Sequence, residues 1–65
     1  MDKKYSLRDI RKDLLKYNQH EMAVEMEVGF TAWRSIENGV SDCPTKITAK
    51  IMKMTGLRFE QIIFN

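Results

Sequence analysis

The chain has 65 residues, 43% of them hydrophobic and 31% charged, with a formal net charge of +2. That is enough for one small domain, which buries only about 60% of its unfolded surface and leaves no second module for sensing a ligand. The composition is that of a folded chain, no run of ~20 apolar residues offers a membrane span, no leader is expected because no apolar run follows residues 1–6, and the single Cys43 can form no internal disulfide, so a cytosolic setting is expected.

Periodicity predicts five short helices. Ser6 can cap the first, with Asp9 at its third helical position. Leu7, Ile10 and Leu14 follow at i, i+3 and i+7, with Leu15 alongside, and this helix runs to about Lys16. Tyr17 can staple inward onto Met22, and Asn18 with Glu21 forms an Asn variant of the capping box. Helix two, about 19–26, then carries Met22, Ala23 and Met26 on one stripe. Val28 plugs the corner. Helix three, 30–37, turns Trp33 and Ile36 inward and ends at Asn38-Gly39, where glycine accepts a left-handed cap. Ala23 is small, as a second helix crossing at roughly 90–120° requires. Residues 39–44 form a loop. Helix four follows Pro44, with Thr45 as its cap and Ile47, Ile51 and Met54 inward, and Gly56 stops it. A last helix is expected over about 58–64, with Phe59, Ile62 and Ile63 apolar. No alternating strand pattern or repeat is visible.

The stretch from Gln19 to Asn38 therefore reads as two amphipathic helices with a polar face left over on the second. It resembles the helix-turn-helix of the Cro and phage-repressor type. Asn18-Gln19, Glu21-Met22-Ala23, Val28, Trp33, Ile36 and Glu37-Asn38-Gly39 fall where that family has its capping pair, small alanine, turn hydrophobe, core hydrophobes and closing acid-Asn-Gly. The likeness extends more weakly from Leu7 to Phe64. It implies an all-α, compact five-helix repressor-like domain over 1–65, with the motif at about 19–38. Arg11 resembles the first-helix arginine that pairs with the acid at Glu37. The segment between Arg11 and Asn18 is one residue longer than usual, so Lys12 is the alternative partner. Glu27 stands where the family prefers glycine, because that backbone is left-handed. Gly29 stands at the cap of helix three, where Ser or Thr is preferred.

The same resemblance implies that helix three enters the major groove of an operator and that its N-terminal residues meet base edges. Phe30, Thr31 and Ser35 occupy that face, with Arg34 close by. Arg34 can pair with guanine or bind a phosphate. The hydroxyls of Thr31 and Ser35 suit several bases. The Phe30 ring can pack on a thymine methyl or tuck into the core. Gln19 is expected to clamp the DNA backbone from the first turn of helix two, and Asn38 either binds the next phosphates or simply forms the helix end. The loop carrying Val40, Ser41 and Asp42 lacks the basic residues related repressors often have. Lysines and arginines crowd the first quarter and last third of the chain, while Glu21, Glu25, Glu27 and Glu37 make the middle acidic.

The expected activity is a small bacterial or phage transcriptional regulator, acting at the nucleoid. It should bind a two-fold double-stranded DNA operator as a homodimer, because one motif reads only about 4–6 base pairs. Ile62, Ile63 and Phe64 are the expected dimer surface, the alternative being that Phe64 folds back onto its own core. The competing class is a protein-binding module, such as an antitoxin or a regulator contacting a partner, which the acidic middle favours. An enzyme has no supporting constellation. His20 and Cys43 are the only soft metal ligands, whereas a structural zinc site wants four, and no cofactor or small-molecule ligand is expected. Met22, Met26, Met52 and Met54 read as core filler.

Overall fold

The computed structural model describes residues 3–64. Strand β1 (Tyr5–Ser6) leads into helix α1 (Leu7–Asp9), whose axis continues as a π-helical segment, Ile10–Leu15. Helices α2 (Gln19–Glu25), α3 (Phe30–Glu37) and α4 (Thr45–Thr55) follow. A 3-10 turn at Phe59–Gln61 then leads to strand β2 (Ile62–Ile63). The architecture is mostly helical. Its core is one cluster built from Leu7, Ile10, Met22, Ala23, Met26, Trp33, Ile36, Ile47, Ile51 and Ile62. Trp33 is fully buried, and its Nε1–H has no acceptor among the described residues. Such an orphaned donor costs about 1–3 kcal/mol, set against the large apolar area the indole removes from water.

Three helix starts are set by local chemistry. The Asp9 amide donates to Ser6 Oγ at 3.1 Å, and the Ser6 amide to Asp9 Oδ2. Asn18 and Glu21 form the same reciprocal box, at 2.7 and 2.9 Å. Helix α4 differs from expectation. Pro44, not Thr45, holds the cap position, and its carbonyl accepts from the Ile47 and Thr48 amides and from Thr48 Oγ1. Proline suits this place because a helix start needs no N–H there. Gly39 and Gly56 take left-handed backbone where α3 and α4 end.

The first helix departs from the simple 3.6-residue reading. From Ile10 onward the chain is wound as a π-helix, whose i→i+5 bonds fit one more residue into the turn. The extra residue between Arg11 and Asn18 is taken up there. Winding changes the register. Leu14, expected inward, is 40% exposed, and Leu15 packs on the core instead. The segment closes on Lys16, at φ 59°, with the Lys16 and Tyr17 amides both donating to the Arg11 carbonyl.

The expected helix over 58–64 does not form. Seven residues are too few to nucleate a helix without strong packing. The adjacent β-branched Ile62 and Ile63 favour extended backbone. They pair in parallel with the start of the chain, Tyr5 opposite Ile62 and Ser6 opposite Ile63. Gln61 Nε2 donates to the Lys3 carbonyl at 3.3 Å beside this pairing. Two two-residue strands thus tie the ends together, and the fold is not purely α.

Glu27 adopts φ 59° at the corner after α2. An L-residue there costs about 1–2 kcal/mol, part of which glycine would return as lost chain entropy. Glu27→Gly is therefore expected to stabilise by about 0.5–1 kcal/mol. In a domain this small that raises Tm by roughly 2–8 °C, read in a thermal melt.

Candidate nucleic-acid interface

The candidate site lies on the outer face of α3 and is held there by a buried polar network. Trp33, Ile36 and Glu37 point inward. Thr31, Arg34 and Asn38 are exposed, and Phe30 and Ser35 are half-buried. The inward residues recur every three or four positions, so their helical complement must face out.

Glu37 sits at the centre of the network. Arg11 Nε donates to its Oε1 at 2.6 Å, and the two side chains are only 10% and 3% exposed. Gln19 Nε2 donates to Oε2 at 2.9 Å. Arg11 Nη1 donates to the Tyr17 carbonyl at 3.0 Å. One carboxylate thus joins the first helix, the start of α2 and the end of α3. Arg11, not Lys12, is the partner. Lys12 is exposed, because the π winding brings Arg11 rather than its neighbour inward.

Gln19 is therefore not a free clamp. One amide N–H is committed to Glu37, and the second remains for an external acceptor. Asn38 is the C-cap residue of α3, with exposed backbone in the turn toward Gly39. The Ser35 carbonyl accepts from Val40 and Ser41 at 2.9 and 3.1 Å, which folds the loop back under the end of α3.

Phe30 is neither in the core nor free. Its ring stacks on His20 with centroids 3.9 Å apart and planes 9° apart, and the Arg34 guanidinium carbon lies 5.6 Å from its centroid. One Phe30 face is thereby withdrawn from any thymine methyl. Sequence reading passed over His20 except as a metal ligand. Its place at the second position of α2 meets the first residue of α3 only once the two helices pack, which no spacing along one helix reveals. Arg8 was read only as one of the basic residues crowding the first quarter, which could touch phosphates. It stands one turn before Arg11 and reaches the same side, a relation that the i, i+3 spacing does carry.

Around the network lies a polar cleft of about 450 Å³. Arg11, Gln19 and Glu37 form its floor, and Arg8, Asn18, Arg34 and Asn38 its rim. Three guanidinium groups against one carboxylate leave it with a positive field. Compared with known proteins, the chain matches no family model, no curated protein and no solved structure. Functional meaning therefore rests on the geometry and chemistry of these residues.

Among the described residues, no cluster of His, Cys, Asp or Glu could hold a metal ion, and no helix is long and apolar enough to cross a membrane. At the C-terminal end, Ile62 belongs to the chain's own core, which removes it from the expected dimer surface. Phe59, Ile63 and Phe64 stay exposed, and the Phe59 and Phe64 rings touch at 5.6 Å between centroids.

Breaking the central pair on one side should cost heavily. Glu37→Gln leaves the Arg11 charge buried without a counter-ion, an effect worth about 3–5 kcal/mol. The expected result is a large fall in Tm. The double variant Arg11→Met with Glu37→Leu should lose less than Glu37→Gln alone, since it strands no charge. Chemical denaturation of the three proteins checks the order.

Proposed function

We propose that the chain is a sequence-specific DNA-binding transcriptional regulator that lays α3 in the major groove of an operator. The observation that carries this reading is a short helix anchored from behind by a buried ion pair, with hydroxyls and a guanidinium on its free face. Such a helix meets the need of groove readout, which is donors and acceptors held rigidly in front of the domain. Thr31 and Ser35 would contact base edges. Phe30, stacked on His20 and with Arg34 over its ring, would offer its edge to an apolar base group. Gln19 and Asn38 would fix the register through phosphates. In this role the protein would act among the DNA of a bacterial cell or phage.

A mobility-shift series over salt concentration tests it. Contacts to roughly 4–8 phosphates per dimer give a log–log salt slope near −4 to −7, at ~0.9 per phosphate. Thr31→Ala should lower affinity for the selected operator by about 1–3 kcal/mol and leave random-duplex binding unchanged. Equal affinity for all duplexes at every salt concentration would remove the reading.

Reading a two-fold operator requires two copies. Phe59, Ile63 and Phe64 supply exposed apolar area, which costs ~25 cal/mol per Å² while in water. An isologous contact through them would cover it and set two α3 helices on one DNA face. Sedimentation is expected to give a dimer for the wild type and a monomer for Phe64→Asp.

A second reading has its own observation. The outer side of α2 carries a shallow groove lined by Tyr17, His20, Glu21, Val24 and Glu25, with Val24 77% exposed between acids. An apolar residue so flanked suits a basic partner segment, as in an antitoxin or a partner-contacting regulator. The non-basic loop Val40–Asp42 agrees with it. Salt-insensitive DNA binding would favour this reading over the first.

A further inference from the structure

The cleft beside Glu37 holds more positive charge than its own ion pair consumes. Both Glu37 oxygens are occupied, and the charge of the carboxylate on the floor is balanced by Arg11, with Gln19 a neutral donor to the second oxygen. Arg11 uses Nε and Nη1 within the protein. Trp33 Nε1 is the only fully buried side-chain polar atom left without a partner among the described residues. Arg11 Nη2 therefore keeps contact with solvent, beside the cleft that Arg11 lines. On the rim, Arg8 and Arg34 approach from α1 and α3. Both are exposed, and among the described residues neither pairs with a carboxylate. The amides of Asn18, Gln19 and Asn38 line the same cleft.

We propose that this cleft is a phosphate site, with Arg8 and Arg34 closing on the two free oxygens of one phosphate group. Guanidinium groups suit this task because their planar N–H forks match phosphate oxygens and cannot lose their charge. The rim amides add neutral donors, and Gln19 has a second amide N–H besides the one given to Glu37. The inference rests on the DNA reading for its preferred source, a backbone phosphodiester, but the chemistry is the same for a free phosphate. It also assigns Arg34. Arg34 shares a cleft with Arg8 and Asn38, so it positions the domain on the backbone instead of reading guanine.

Two measurements on the full chain test this, with Arg8→Ala, Arg34→Ala and Arg34→Lys as variants. All three change exposed side chains, and far-UV circular dichroism confirms their fold. Inorganic phosphate is titrated at ionic strength held constant with chloride, following the amide resonances of residues 8, 18, 19, 34 and 38. Saturable shifts are expected, lost in both alanine variants and partly kept in Arg34→Lys. In duplex binding, each alanine variant should lower the salt slope by about 0.9, equally for the operator and a random duplex. Saturation by phosphate without any duplex binding would support the cleft with a free phosphate as its source, and would sink the DNA reading alone. Reduced slopes without phosphate saturation would support the cleft with the DNA backbone as its source. An Arg34→Ala protein that keeps its slope but loses discrimination between duplexes overturns the assignment. So does the absence of both phosphate shifts and slope changes.

Discussion

The Arg11–Glu37 pair is the constraint on which the rest of this small domain depends. Two charges are taken almost wholly out of water, and the arrangement is tolerable only because their hydrogen-bonding needs are met locally. Gln19 occupies the second carboxylate oxygen, and the Tyr17 carbonyl takes a second arginine N–H. Each partner comes from a different element. The pair therefore specifies how the first helix, the start of α2 and the end of α3 sit together, a task that the apolar contacts of so small a core leave open to slippage. The same network forms the floor of the cleft on which the phosphate proposal is built. Scaffold and candidate site are thus parts of one construction.

The π-helical winding of Ile10–Leu15 is what brings Arg11 to that position. An ordinary α-helix over the same residues would have carried Leu14 inward. The wider turn places Leu14 out and Leu15 in, and ends on left-handed Lys16. The winding leaves an apolar side chain partly in water and places a non-glycine residue at positive φ. The buried polar network and the two reciprocal capping boxes offset this. The winding thus places Arg11 among the polar groups of the cleft.

The surface divides by chemistry in a consistent way. The face of α1 and α3 that borders the network is rich in arginine and amide groups. The outer side of α2 is acidic, with Val24 standing among Glu21 and Glu25. The end carrying Phe59, Ile63 and Phe64 is apolar. A domain with this little interior cannot hide all its hydrophobic residues; Leu14, Val24 and Val40 are left out singly, and Phe59, Ile63 and Phe64 form a group. The pairing of β1 with β2 fixes where that group lies, because it carries the end of the chain back to its beginning.

Most of the helical framework was legible along the chain. Capping at Ser6 and Asn18, the stripe of Met22, Ala23 and Met26, the inward Trp33 and Ile36, and the stops at Gly39 and Gly56 are local features. They depend on periodicity and on side chains reaching their own backbone, so neighbouring residues suffice to reveal them. The left-handed corner at Glu27 and the pairing of Arg11 with Glu37 were suggested by resemblance, and the choice between Arg11 and Lys12 needed the winding of the first helix. Four features belonged to tertiary structure alone: the π turn, the parallel pairing of Ile62–Ile63 with Tyr5–Ser6, the stacking of Phe30 on His20, and the engagement of Gln19 by Glu37. Each joins groups whose meeting depends on packing between elements or on a winding chosen by that packing. A sequence states which residues can bond; the distance between elements decides which of them do.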